Sequence, residues 1–147
     1  MVSNTSNIEI VDLLRDGESM GEYMVTACNE VVNFINLNTN EIRYKIYDKE
    51  AEHGFVTHLK ASSNVLAVGF SSGTILVYDL DIANKLDGDE NEAFNLLHKF
   101  QFHRTGISVI FFDDLNTQMF SGGQDTYIVV YDLVSDQAQY KMKGHKE

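Results

Sequence analysis

Three polar residues in the last third of the chain have side chains that could do chemistry together: His103, Ser121 and Asp125. A serine hydroxyl, an imidazole and a carboxylate are the composition of a hydrolase triad, in which the histidine takes the proton of the nucleophile. Ser121, however, falls in the middle of a predicted strand and not on the strand-to-helix elbow that exposes a nucleophile. The sequence therefore disfavours nucleophilic catalysis by Ser121.

The remaining histidines offer no further chemistry. His53 and His58 are spaced by five, as are His98 and His103, and on an extended strand this spacing directs two rings to opposite faces. A shared metal ion is therefore disfavoured. The glycine pairs stand in hairpins ahead of strands, which argues against a phosphate-binding loop. We predict no catalytic residue, no cofactor and no metal site.

Composition indicates a folded domain with an acidic surface. The 147 residues are 44% hydrophobic and 22% charged, and the net charge is −11. A surface of this charge should repel nucleic acid phosphates and anionic membranes, so any RNA contact requires a local basic patch. The single cysteine, Cys28, excludes an internal disulfide and predicts a reducing intracellular compartment. We expect neither an export signal nor a membrane-spanning segment.

The chain contains three copies of one pattern: a short strand, a tight polar turn and a second strand rich in β-branched residues. The copies are Tyr23–Leu37, Leu66–Leu80 and Met119–Leu133. Each reads as a β-hairpin. Three copies predict a repeat protein, in which each unit covers the apolar face of its neighbour.

The spacing of the copies indicates a β-propeller. Ile35, Tyr78 and Tyr131 hold matching places after their turns, 43 and then 53 residues apart. A four-stranded propeller blade repeats about every 40–45 residues. The longer interval is explained by residues 81–93, an acidic stretch almost without strand formers, which we interpret as a solvated insertion.

The other segments add strands and no helix. Ile42 to Tyr47 alternates strictly, which predicts that Ile42, Tyr44 and Ile46 share one face of a half-buried strand. No window of 11 or more residues sustains the apolar period of a helix. We predict an all-β chain of about three four-stranded antiparallel blades, at about 8–47, 55–101 and 106–142.

The third unit resembles a WD40 repeat. The resemblance rests on His103, Ser121-Gly122, Asp125, Tyr131-Asp132 and the following Gly144-His145. It implies that the Asp carboxylate accepts a hydrogen bond from the His ring, that the other ring nitrogen pairs with the Ser hydroxyl, and that this hydroxyl meets the aromatic residue. Tyr131 stands where the family usually has Trp, so we expect a weakened network.

The first two units depart further from the WD40 pattern. In the second unit Val68 takes the Ser place and Ser72 the Asp place, so we expect His53 to be an exposed loop residue. In the first unit Ile35-Asn36 replaces the aromatic-Asp pair, and the strand pattern alone is kept.

The order of motifs is most similar to one WD40 family. That family is the large tandem-propeller subunit of the UtpB complex, part of the U3 small nucleolar ribonucleoprotein and the small-subunit processome, and the match is to its amino-terminal propeller. The segments that carry the resemblance are Glu30–Thr39, Leu66–Phe70, Asp125–Val134 and Tyr140–Lys146.

This resemblance implies a non-catalytic scaffold in ribosome biogenesis. It would reside in the nucleolus and mediate protein–protein contacts with other UtpB subunits during precursor 18S rRNA processing. Local or indirect contact with U3 small nucleolar RNA or precursor ribosomal RNA is part of the same expectation. The alternative left open is a WD40 adaptor or substrate receptor in another intracellular complex.

Two surface stretches are weak candidates for partner contacts. Acidic residues in the insertion suit a basic partner segment, although a merely solvated loop is the simpler interpretation. Lysines near the chain end suit an RNA backbone, although the polar face of an outer strand explains them equally simply. The candidates are Asp87, Asp89, Glu90, Glu92, Lys141, Lys143 and Lys146.

Three blades do not close a ring. A propeller usually has 4–8 blades, each packed between two neighbours. Residues 144–147 look like the start of a further repeat. We therefore expect either an amino-terminal part of a longer protein, whose remaining blades would cover two apolar faces, or a truncated product.

Overall fold

A computed structural model describes most of the chain and contains only β-structure there. The described residues are 8–15, 17–46, 54–62, 64–82, 94–101, 103–115 and 117–135, together with the backbone of 137–143. Within these ranges twelve strands form three antiparallel four-stranded sheets, each in sequence order. The predicted all-β fold with three blades of an incomplete ring is confirmed.

The three sheets are blades 1, 2 and 3, in chain order. Blade 1 consists of β1 (Glu9–Arg15), β2 (Glu18–Cys28), β3 (Val31–Asn36) and β4 (Ile42–Ile46). Blade 2 consists of β5 (Val56–Ser62), β6 (Val65–Phe70), β7 (Ile75–Asp79) and β8 (Leu96–Phe100). Blade 3 consists of β9 (Ile107–Phe112), β10 (Gln118–Gly123), β11 (Tyr127–Asp132) and β12 (Gln137–Lys143).

Blade 2 is buried on both faces because it lies between the other two blades. Its innermost strand, β5, contacts β1 on one side and β9 on the other. Leu66 and Val68 belong to the apolar core shared with blade 1, whereas Ala67 belongs to the core shared with blade 3. Successive side chains on a strand point to opposite faces. A continuous apolar run in β6 is therefore the direct consequence of two neighbours.

A β-bulge recurs at the same place in all three blades. The register between the third and fourth strands shifts at Phe34/Ile35, Val77/Tyr78 and Val130/Tyr131. A bulge adds one residue to a strand and bends it locally. Its recurrence gives Ile35, Tyr78 and Tyr131 equivalent positions in their blades.

The bulge in blade 1 makes the prediction for Ile42 wrong. Ile42 pairs with Ile35, while Tyr44 pairs with Phe34, the adjacent residue on β3. Because neighbours on a strand face opposite ways, Ile42 lies on the opposite face from Tyr44. It is 51% exposed, whereas Tyr44 is buried against blade 2. Strict alternation in the sequence cannot reveal the extra residue.

The first two residues of the predicted acidic insertion are not a solvated loop. The Ile82 N–H donates to the Leu14 carbonyl (2.6 Å), and the Ile82 side chain is buried in the core between blades 1 and 2. The Asp81 carboxylate accepts a hydrogen bond from the Gly17 N–H at 3.0 Å. These residues attach the end of β7 to blade 1. Residues 83–93 lie outside the described part of the chain.

Candidate functional site

The structure brings His103, Ser121, Asp125 and Tyr131 into one hydrogen-bonded chain. His103 Nε2 lies 2.7 Å from Ser121 Oγ, and His103 Nδ1 lies 3.1 Å from Asp125 Oδ1. The hydroxyls of Ser121 and Tyr131 are 2.9 Å apart. Hydroxyl groups both donate and accept, so every member of the chain has a partner. This pairing is what allows three of the four side chains to be buried.

Two strands, one turn and one connection position these groups. Ser121 lies on β10 opposite Val129, and Tyr131 lies two residues farther along β11, opposite Met119. His103 comes from the connection between β8 and β9, and Asp125 from the turn between β10 and β11. The network therefore joins the hairpin of blade 3 to the segment that enters the blade.

The Asp125 carboxylate also binds backbone groups that sequence reasoning had missed. It accepts hydrogen bonds from the N–H groups of Arg104 (2.9 Å) and Tyr127 (3.1 Å). Partial burial acts to raise the pKa of Asp125, but these donors and His103 outweigh it, and the pKa is lowered. The carboxylate consequently stays charged at neutral pH and holds the turn and the connection together.

The Tyr131 phenol closes the buried end of the chain. Burial raises its pKa to about 12, against a weaker lowering by the Ser121 hydrogen bond. The ring also packs on Phe100 of blade 2, with centroids 4.3 Å apart. The phenol stays protonated at neutral pH and occupies the place of the indole that the WD40 resemblance implies.

Gly123 is required by the same site, which the sequence analysis did not anticipate. A Cβ at this position would lie 2.7 Å from His103 Nδ1 and 2.9 Å from Asp125 Oδ1. Real Cβ atoms do not approach so closely, and the two groups are hydrogen-bonded to each other. The signal was present in the sequence as the second glycine of Ser121-Gly-Gly.

The network lacks the access that nucleophilic catalysis needs. Ser121 is 2% exposed, and both of its hydrogen-bonding neighbours, His103 and Tyr131, are buried. A surface cavity of about 380 Å³ lies elsewhere, lined by Arg15, Glu18, Ser19 and Met20. A substrate carbonyl could reach Ser121 Oγ only if blade 2 separated from blade 3. The geometry is that of a structural network.

Blade 2 replaces this network with apolar packing. Val68 takes the place of Ser121 and is fully buried in the core shared with blade 1. Ser72, in the place of Asp125, donates to the Thr74 hydroxyl at 3.0 Å. The Phe55 N–H donates to Ser71 Oγ at 3.1 Å. His53, expected to be exposed, lies outside the described residues.

The charged partner candidates are mostly outside the described residues. Asp87, Asp89, Glu90, Glu92 and Lys146 belong to this group. Only the backbone of Lys141 and Lys143 is described, and it pairs with Val129 and Tyr127, respectively.

Two kinds of site are absent from the described ranges. No group of three or more His, Cys, Asp or Glu side chains there could hold a metal ion. In the same part of the chain, no helix is long and apolar enough to cross a membrane.

Comparison with solved structures identifies the fold as a β-propeller. One chain in a crystal structure of the mitotic checkpoint complex superposes with a TM-score of 0.68 at 17% identity, over 96% of this chain and 39% of that chain. The β-propeller domain of Myceliophteria thermophila Cps50 (Swd1) superposes with a TM-score of 0.67 at 19% identity, over 99% of this chain and 42% of that domain. The chain thus spans about two fifths of each solved propeller.

Comparison with known sequences gives less information than comparison with solved structures. No protein-family model matches the chain. Centriole proteome protein 16 of Chlamydomonas reinhardtii is 32% identical over 92 residues, which are 61% of this chain and 4% of that protein. The chain therefore corresponds to a small fraction of this relative.

Proposed function

We propose that the chain is a non-catalytic WD40 scaffold in ribosome biogenesis. In this proposal it resides in the nucleolus and mediates contacts among UtpB subunits of the small-subunit processome during precursor 18S rRNA processing. Contact with U3 small nucleolar RNA or precursor ribosomal RNA would be local or indirect, because the net charge of −11 disfavours broad RNA binding.

One observation carries the proposal: the resemblance of residues 125–134 and 140–146 to the UtpB subunit. Residues 127–132 are strand β11 of blade 3, and 137–143 are its edge strand β12. The resemblance therefore includes the edge strand of blade 3. Residues on edge strands and loops can make partner contacts that are specific to one family.

A scaffold role also agrees with the chemistry of the described residues. The one Ser–His–Asp arrangement is buried and fully paired, and its best account is the stability of blade 3. Function in such a fold lies on loops, edges and faces. The two end faces of the three-blade stack carry exposed apolar side chains, including Ile10, Ile42, Phe111 and Ile128. We propose that the remaining blades of the full-length polypeptide cover them.

A second candidate is a WD40 adaptor in another intracellular complex. The observation in its favour is the 32% identity to a centriole protein over 92 residues. In that case the nucleolar assignment fails, while the scaffold role stands.

Affinity purification distinguishes the two candidates. The full-length tagged protein would be purified from its own cells at its natural expression level, and U3 small nucleolar RNA and precursor ribosomal RNA would be quantified in the eluate. A tagged unrelated WD40 propeller serves as the control for nonspecific RNA recovery. Enrichment of both RNAs together with UtpB subunits supports the processome role. Background levels of both RNAs, with centriolar proteins recovered instead, support the second candidate.

A further inference from the structure

Two connections at one end of blade 3 carry apolar side chains that project into solvent. They are the β9–β10 loop and the β11–β12 turn, which lie at the end of the blade opposite to Asp125. The Leu133 N–H donates to the Thr117 carbonyl at 2.9 Å and joins the two connections. Leu115 is 80% and Val134 81% exposed, whereas no other large hydrophobic residue in the described ranges exceeds 54%. A single exposed apolar residue is ordinary, but two on joined connections form a shared surface.

The shape of the β11–β12 turn does not require valine at position 134. Asp132 ends β11, and its Oδ1 accepts a hydrogen bond from the Val134 N–H at 2.9 Å. Asn36 ends β3 of blade 1, and its Oδ1 accepts from the Asn38 N–H at 2.8 Å. Asn38 therefore stands where blade 3 has Val134. Asparagine is a common turn residue, so the turn itself does not explain the valine.

The β9–β10 loop likewise keeps its shape without the side chain of Leu115. Asp113 Oδ1 accepts hydrogen bonds from the N–H groups of Thr117 (2.8 Å) and Gln118 (3.0 Å). Asp113 Oδ2 accepts a further bond from the Thr117 hydroxyl at 2.8 Å. These bonds close the loop from both sides of Leu115 and hold this residue on its outside.

The same two connections carry negative charge. Residues 113–117 and 132–135 contain three aspartates and no lysine or arginine. Hydrogen bonds from backbone N–H groups, foremost that of Gln118 for Asp113 and that of Val134 for Asp132, lower the pKa of both carboxyl groups. Both are therefore charged at neutral pH. A complementary partner must combine apolar and positively charged groups, whereas the phosphates of nucleic acids and anionic membranes would be repelled.

We propose that Leu115 and Val134, with the carboxylates of Asp113, Asp114 and Asp132, bind a short segment of a partner protein that carries apolar side chains between lysines or arginines. These five residues are the loop patch. The apolar side chains of the segment cover Leu115 and Val134, and its cations lie beside the carboxylates. The inference rests on the proposed scaffold role, to which it adds a surface and the chemistry of one partner. Because the patch lies on connections between strands, covering the sheet faces leaves it accessible.

A synthetic peptide tests the loop patch. A fluorescein-labelled nine-residue peptide in which lysine alternates with leucine would be titrated with the 147-residue chain, and binding followed by anisotropy. We expect saturable binding that weakens at least fivefold when serine replaces leucine in the peptide. Binding should also weaken between 50 and 300 mM salt, because salt screens exposed charges. No binding up to the solubility limit, or equal binding of the two peptides, overturns the proposal.

Variants of the apolar pair locate the binding. Leu115→Ser combined with Val134→Asn should weaken binding at least fivefold, and the second change reproduces Asn38 of blade 1. Leu97→Ser is the control, since it removes another partly exposed leucine, on β8, and should change the affinity less than twofold. Thermal unfolding checks that each variant is folded. Unchanged affinity in the double variant, or an equal loss in Leu97→Ser, overturns the proposal.

A pair of charge variants gives a second readout. Asp132→Asn should weaken binding two- to fivefold and keep the turn, because Asn36 makes the equivalent hydrogen bond in blade 1. Glu41→Gln removes one exposed negative charge from blade 1 and should leave the affinity unchanged. Equal effects would mean that the net charge attracts the peptide, and would overturn the proposal.

The loop patch and the proposed function fail separately. Recovery of U3 small nucleolar RNA by the full-length protein is independent of these titrations. A failed titration leaves the nucleolar role standing, and background recovery of the RNA leaves the loop patch standing.

Discussion

Ser121 and Tyr131 are diagonal neighbours across the hairpin of blade 3, with their hydroxyl oxygens 2.9 Å apart and no significant exposure of either residue. This contact ends a polar chain that begins at Asp125 on the surface turn and passes through His103. Removing a middle member should cost more than removing the last one, because it takes a hydrogen-bonding partner from two buried groups and not from one.

Replacing Ser121 therefore gives the first prediction. Ser121→Ala should lower the free energy of unfolding by about 1–3 kcal/mol, because both His103 Nε2 and the Tyr131 hydroxyl lose a partner. Tyr131→Phe should cost only about 0.5–1.5 kcal/mol, since Ser121 keeps His103. Urea unfolding followed by far-ultraviolet circular dichroism measures both. Equal losses of stability in the two variants, or a larger loss in Tyr131→Phe, would contradict the proposed hydrogen-bonding order, in which Ser121 lies between His103 and Tyr131.

Gly69 and Gly122 hold equivalent positions on the second strands of blades 2 and 3 and provide a matched pair. Gly69→Val should destabilise the protein by about 1–3 kcal/mol, because the side chain collides with Ile107 inside a packed interface. Gly122→Val introduces the same side chain on the open face, where it meets only the partly exposed Val109. We expect a change within about 0.5 kcal/mol there. Thermal unfolding of both variants tests the difference, and similar losses would mean that blade 3 is not open on this side.

Thr126 adopts a backbone conformation that is unfavourable for threonine. Its φ is +71°, in a region where a β-branched residue is strained, whereas the equivalent position of blade 2 is Gly73 with φ +92°. Thr126→Asn should stabilise the protein by about 0.5–1 kcal/mol, because asparagine tolerates this region without the entropy cost of glycine. Asn29, with φ +56°, shows that the fold accepts asparagine in such a turn. A loss of stability measured in urea would show that the threonine side chain makes a needed contact.

The lowered pKa of Asp125 predicts an acid-sensitive turn. Partial burial opposes the shift, but hydrogen bonds from Arg104 N–H, Tyr127 N–H and His103 prevail. Since the folded pKa lies below the ordinary value of 3.8, the stabilisation is present above pH 3.8 and is lost as the pH falls through the folded pKa. Asp125→Asn should therefore flatten the fall in stability below pH 3.8. Urea midpoints measured from pH 5 to pH 2.5 check this, and parallel curves for the two proteins would refute it.

Sequence patterns predicted the blades, and the resemblance of the third unit to a WD40 repeat implied the four-residue network. Hairpins repeat at a spacing near that of a propeller blade, and a histidine, a serine, an aspartate and an aromatic residue fall at places that a blade brings together. The hairpins follow from local periodicity and residue type, whereas His103 reaches the network from outside the hairpin, in the connection between β8 and β9.

The tertiary structure decided which face each side chain occupies and what covers it. Ile42 lies on the opposite face from Tyr44, and not on the predicted shared face, because one bulge shifts the register. No pattern within a single strand reveals the pairing partner. Ile82 is not part of a solvated loop, because its backbone N–H donates to the carbonyl of Leu14, which is far away in the sequence.

The contact between Thr57 and Ile107 illustrates the physical reason most clearly. The two residues are 50 positions apart and belong to different blades. Their hydrogen bond exists only once two sheets have stacked, so it depends on burial and packing between elements. The sequence by itself determined the strands and the repeat, because these follow from local preferences. Stacking alone decided that the middle blade is buried on both faces.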